Sequence, residues 1–167
     1  MKLTNFLFKS LAVFLVLINF ASAKSTGAIS TDQDWSLFKI EQGGQEICYV
    51  VSIPIEYSKF HKKRGKSFFM VTKTTNDADE ISTSSGFFYK DNSNLELSFG
   101  SKRFYLFPHK NYAWAMDKNE DIAIIKEMQK QDDFIITAID QNNKIVSDRY
   151  SLIGFNQAYQ KMRKECQ

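Results

Sequence analysis

Two cysteines, two histidines and one dense run of basic residues are the side chains with most chemical reach in this 167-residue chain. Cys48 and Cys166 are too few for a four-cysteine zinc site or a disulfide-dense miniprotein. Neither lies in a Cys-x-x-Cys spacing or beside a histidine, so redox and metal chemistry are not the first reading. His61 and His109 have no Asp or Glu within three residues, so neither belongs to a local histidine–carboxylate couple. Thr83-Ser84-Ser85-Gly86 is not the Gly-x-Ser-x-Gly elbow of a nucleophilic serine, and a polar edge strand accounts for it. Asp77, Asp79 and Glu80 cluster, but acid–base work needs two carboxylates in different environments across a cleft. Asp140 to Lys144 lacks the spacing of a calcium loop, and no glycine-rich phosphate loop occurs. The expectation is a protein with no catalytic residue, no cofactor and no metal.

The charge run His61-Lys62-Lys63-Arg64-Gly65-Lys66 falls between two expected strands. Lys62, Lys63, Arg64 and Lys66 are candidates for contact with an anionic partner such as lipid phosphate, against the simpler reading of a solubilising loop. Phe104, Tyr105, Phe107, Tyr112 and Trp114 form an aromatic set able to stack on sugars or bases. The small residues Ala113 and Ala115 around Trp114 favour a core role for that set.

Residues 1–23 read as a secretory signal. Lys2 and Lys9 give a positive start, Leu11 to Ile18 an apolar run, and Ala21-Ser22-Ala23 a small-residue cleavage site. The run is shorter than the ~20 residues that span a bilayer core, so no transmembrane span is expected after cleavage. The full chain has 22 basic and 19 acidic residues; cleavage removes two lysines and no acid, leaving 20 against 19 and a net charge of +1. That balance argues against whole-protein steering toward nucleic acid or anionic membrane. Export to an oxidising compartment favours a Cys48–Cys166 disulfide, the one pairing available inside a monomer.

The elements that would position these groups are mainly strands. Residues 24–34 are small and polar and read as a flexible leader, with a single domain over 35–167. Trp35 and Leu37 share a strand face; Gly43-Gly44 makes a turn; Ile47 to Ile53, Ser67 to Thr72, Glu80 to Ser85, Phe87 to Tyr89 and Leu95 to Phe99 read as strands. Arg103 to Phe107, Tyr112 to Ala115, and the pair Phe134 to Ile139 and Ile145 to Leu152 around Gln141-Asn142-Asn143 complete the set. Strands at this spacing predict a β-sandwich. Asn119 is expected to cap a short internal helix carrying Ile122, Ile125 and Met128, and Asn156 a C-terminal helix carrying Tyr159, Met162 and Cys166.

Taken in order, Trp35, Cys48-Tyr49, Ser52-x-Pro54, Arg64-Gly65, Val71-Thr72, Ala113-Trp114-Ala115, Tyr150-Ser151-Leu152-x-Gly154-Phe155 and Cys166 make the chain similar to the invasion-associated locus B family of alphaproteobacteria. The resemblance covers Trp35 to Cys166. It implies an immunoglobulin-like sandwich in a secreted or envelope-associated protein, some relatives being linked to host-cell invasion, and it brings no catalytic residues. The chain departs from the family pattern between Ile139 and Arg149 and lacks the additional cysteines of some relatives. The functional expectation is an exported interaction protein of periplasm, outer surface or medium, engaging an unknown envelope or host protein. One alternative is a periplasmic assembly or chaperone factor that accepts a strand on an open sheet edge. A less favoured one is a hydrolase gathering His61 or His109 with a serine and a carboxylate.

Overall fold

The computed structural model describes residues 27–58, 64–74 and 79–166. Its strands, in chain order, are β1 (Ser30–Asp32), β2 (Trp35–Gln42), β3 (Gln45–Ser52), β4 (Phe68–Thr72), β5 (Glu80–Ser84), β6 (Leu95–Phe99), β7 (Lys102–His109) and β8 (Tyr112–Trp114). Helix α1 (Lys118–Met128), β9 (Asp133–Ile139), β10 (Ile145–Ser151) and α2 (Phe155–Glu165) follow. The protein is mainly β, with the short internal helix and the C-terminal helix that the apolar spacing predicts.

All ten strands belong to one antiparallel ladder, in the order β1-β2-β3-β4-β5-β8-β7-β6-β9-β10. β4 and β9 stand five places apart in that order. In a flat sheet that would be ~24 Å, at ~4.8 Å per strand. Yet the rings of Phe69 on β4 and Phe134 on β9 have centroids 4.8 Å apart. The ladder is therefore doubled over into two layers, as in a sandwich. β7 makes the corner: Lys102 to Leu106 pair with β6, while Phe107 to His109 pair with β8.

The inner positions are those the alternation predicts. Leu37, Val50, Phe69, Val71, Leu97 and Phe134 are fully buried between the layers. Trp35 donates its indole N–H to the Ser151 carbonyl at 3.0 Å, joining β2 to β10 across the core. The β2–β3 hairpin turns at Gly43 and Gly44, both at positive φ, as a two-residue loop with this strand twist requires.

Several expectations are corrected. Ser30–Asp32, inside the stretch expected to be a flexible leader, add a strand to β2. β5 is not an edge strand; it lies between β4 and β8, and its residues Ile81 to Ser84 are all buried. Phe87 to Tyr89 form no strand, only a single bridge from Tyr89 to Asp140. Asp117, not Asn119, caps α1: its carboxylate accepts the backbone N–H groups of Asn119 and Glu120. The α2 cap position is Gly154, not Asn156, which sits inside the first turn and donates to the Gln129 carbonyl.

Gly154 is required here on two counts. Its φ is +89°, and an added Cβ would meet the Asp32 carbonyl oxygen at 1.9 Å. The close approach lets α2 pack on β1, β2 and β3. Phe155 packs against Trp35, with ring centroids 4.8 Å apart, and Lys161 pairs with Asp32. Tyr159 donates to the buried Asp79 carboxylate at 2.8 Å, which Arg163 also contacts. The Cys48–Cys166 disulfide forms as expected, with Cα atoms 6.2 Å apart, and ties the end of α2 to β3.

Candidate functional site

Of the expected charge run, Arg64, Gly65 and Lys66 are described. His61, Lys62 and Lys63 lie outside the described residues. Lys66 is exposed. Arg64 is turned inward, a correction to its reading as a contact for an anionic partner. Its guanidinium binds the Asp148 carboxylate through both terminal nitrogens, at 2.7 and 2.8 Å, and both side chains are almost wholly buried. Asp148 occupies an inward position of β10, where an unpaired carboxylate is costly, so a cation must come to it. The Ser58 N–H and the ring of Tyr57 complete the enclosure. The same loop is held a second time where Gly65 donates to the Gly86 carbonyl at 2.8 Å. A Cβ on Gly86 would come within 2.3 Å of the Gly65 oxygen. This is a structural latch closing the loop after β3 over β10.

The serines beside it serve the same end. Thr83 donates to the Phe68 carbonyl, and the Tyr89 hydroxyl joins Ser85 through both its N–H and its side chain. Burial pushes the Tyr89 phenol up to about 12, so it stays protonated. His109 is exposed at the end of β7 and shares a shallow groove with Asp91, with no serine among the described residues that line it. Asp79 is buried under α2, and Asp77 lies outside the described residues.

The two ends of the ladder are partly covered, β1 pairing with Trp35 to Leu37 of β2. β1 has three residues. At the other end of the ladder, Arg149 of β10 exchanges backbone hydrogen bonds with Ile55 and Glu56.

The outer face of the first layer is different. Phe38, Ile40, Ile47, Tyr49 and Val51 point outward from β2 and β3, by their register with the buried Leu37, Cys48 and Val50. Phe68 and Met70 continue the face on β4, and Tyr112, Trp114 and Phe107 on β8 and β7. Phe104, Tyr105, Phe107, Tyr112 and Trp114 are thus not a core cluster: Phe104 alone of them packs on the core, while Tyr105, Phe107 and Tyr112 are exposed. Ser82 and Ser84 lie in the trough between two aromatic walls. Phe68 and Tyr112 meet over Ser84, ring centroids 6.1 Å apart, which explains how an outward serine is buried. Phe107 and Tyr112 each stand 5.9 Å from Trp114.

This face ends in carboxylates. Glu80 is its one charged position among the described strand residues named above. Beyond it a groove of about 330 Å³ is lined by Phe107, Trp114, Met116, Asp117 and Asp121, among others. Asp121 accepts the Ile81 N–H at 2.8 Å. Burial raises its carboxyl to about 6, helped by the neighbouring Glu80, Glu120 and Asp117 carboxylates, while the Ile81 bond acts the other way. Glu120 accepts the N–H of Met116, the residue before the Asp117 cap. No sequence pattern marks this face, because continuous apolar runs such as Phe68 to Val71 read equally well as strands buried on both sides.

No protein-family model matches the chain, and no curated protein matches it. Among solved structures, the crystal structure of invasion associated protein B from Bartonella henselae matches with a TM-score of 0.60. The match covers 81% of this chain and 94% of that one, at 14% sequence identity. The chain therefore has an invasion associated protein B-like fold, and the resemblance carried by its ordered motifs holds at the level of fold.

Proposed function

We propose that the chain is an exported, non-catalytic interaction protein of a bacterial envelope, a distant relative of the invasion-associated locus B family. Its contact surface is the outer face of β2, β3, β4, β5, β8 and the end of β7. The observation that carries this reading is the composition of that face. An antiparallel sheet packed on one side turns its other side to water and is polar there. Here aromatic and aliphatic side chains stand outward on β2, β3, β4, β7 and β8, half-buried except for the exposed Phe107 and Tyr112, and contiguous solvent-facing apolar surface of this kind marks interaction sites. The signal-like start, the Cys48–Cys166 bridge and the likeness in fold to a protein named for invasion support export and an outward role.

The test is photocrosslinking in the native bacterium. A benzophenone amino acid replaces Phe107 or Tyr112, and Asn142 in the β9–β10 loop serves as control. The expected result is one discrete adduct from the two face positions and none from the loop, in periplasm, envelope or medium. Adducts equal at all three positions, or recovery of the protein from the cytosol, overturn the reading.

A further inference from the structure

The contact-surface reading leaves the partner's chemistry open, and the charge at one end of the face narrows it. Among the described residues, none of Glu80, Asp117, Glu120 and Asp121 makes an ion pair. Glu80, Asp117 and Asp121 line one groove with Phe107 and Trp114, and Lys118 is the one cation among its described lining residues. Asp117, Glu120 and Asp121 accept backbone N–H groups, so their charge is held in place beside two aromatic rings without an ion pair among the described residues to balance it. That combination suits a cation carried on an apolar body: aromatic faces attract it, and carboxylates neutralise it. An anionic bilayer surface would be repelled there. A second copy of the chain, paired by a two-fold axis through the face, would bring a second set of carboxylates rather than cations.

We propose that this face binds a cationic amphipathic peptide segment, its apolar side chains on Phe107, Tyr112 and Trp114 and a lysine or arginine at Glu80 and the groove beside it. The inference rests on the contact-surface reading and adds the sign of the partner's charge.

The chain offers its own reporter. It has two tryptophans; Trp35 is fully buried, and Trp114 lies on the face. The oxidised, exported protein is titrated with a peptide of about ten residues alternating leucine and lysine, long enough to cross the face. Controls replace lysine by glutamate or leucine by serine. The leucine–lysine peptide shifts tryptophan emission, and each control binds at least about tenfold more weakly, as loss of a desolvated cation–π contact or its apolar anchor implies. Glu80→Lys weakens the leucine–lysine peptide by a similar factor, and Phe107→Glu abolishes the shift, both with unchanged melting temperature. Equal binding of the leucine–glutamate peptide, or no effect of Glu80→Lys, overturns the charge inference. If photocrosslinks at Phe107 and Tyr112 still form in cells, the contact surface survives that failure; if they are absent, both fall. Sedimentation showing a dimer that Phe107→Glu dissociates, or binding to phosphatidylcholine vesicles that the same variant removes, assigns the face to another occupant and overturns the proposal.

Discussion

The two layers of the sandwich have similar inner faces and different outer ones. In the second layer, outward positions of β6, β9 and β10 mix the polar Glu96, Ser98, Thr137, Ser147 and Arg149 with Ile135, Ile139 and Ile145, and carry no aromatic ring. In the first, the same outward positions carry Phe38, Tyr49, Val51, Phe68, Met70 and Trp114. Both layers bury their inward residues equally well. The difference lies in the outward positions, and it is the ground for proposing the first layer as the contact surface. A side chain's burial in this fold follows the face of the strand it stands on, in both layers alike.

That contrast is open to direct attack. Phe69 and Phe68 are adjacent on β4 and face opposite ways, one fully buried and one outward. Phe69→Ala is expected to destabilise by about 3–5 kcal/mol in denaturant unfolding, the range for a buried phenylalanine. Arg64→Ala should cost a similar ~3–5 kcal/mol, since it strands the buried Asp148 carboxylate. Together these establish what the interior of the doubled ladder is worth. Replacing Cys48 and Cys166 by alanine should lower stability by about 2–5 kcal/mol, read as a drop in melting temperature that non-reducing conditions no longer protect against. Phe68→Ala should cost less than about 1 kcal/mol. A loss equal to that of Phe69→Ala would make the outer face a packed layer and dissolve the contrast.

The smallest effect is a slope. The Asp121 carboxyl is raised from 3.8 to about 6 in the folded protein, so between those values the fold binds more protons than the unfolded chain does. Stability contributed by this group therefore falls as pH rises through that window and stays low above it. Asp121→Asn, which keeps an acceptor for the Ile81 N–H, should flatten that fall in a melting series from about pH 4 to about pH 6. A slope identical to wild type would show that burial and the neighbouring carboxylates do not raise the Asp121 carboxyl in the folded protein.

How much of this was legible follows the reach of each signal. Local signals read well: the alternation of Leu95, Leu97 and Phe99, the glycine pair at the β2–β3 turn, and the β9–β10 hairpin all appear where expected. The disulfide was readable because two cysteines allow one pairing. Arg64 was not, because its partner Asp148 is 84 residues away. A signal did exist at the other end: Asp148 stands in the apolar register of Val146 and Tyr150, where a carboxylate must recruit a cation. Both caps lie two residues before the expected ones; Asp117 and Asn119 are both good cap residues, and only backbone geometry separates them. The aromatic set around Trp114 reads as core because composition alone cannot tell which face of the sheet its side chains take. The family likeness carried by scattered motifs anticipated the fold, whose solved counterpart shares 14% of its residues.

One covalent feature orders events in time. The bridge joins a residue of β3 to one beyond α2, across 118 positions of sequence. Seven strands, β4 to β10, and both helices are synthesised between its two halves. No partial product lacking the stretch after α2 can be locked, however well its strands have paired. The bond thus acts as a proofreading clasp, separating finished molecules from interrupted ones by a property that any reductant-sensitive gel can read.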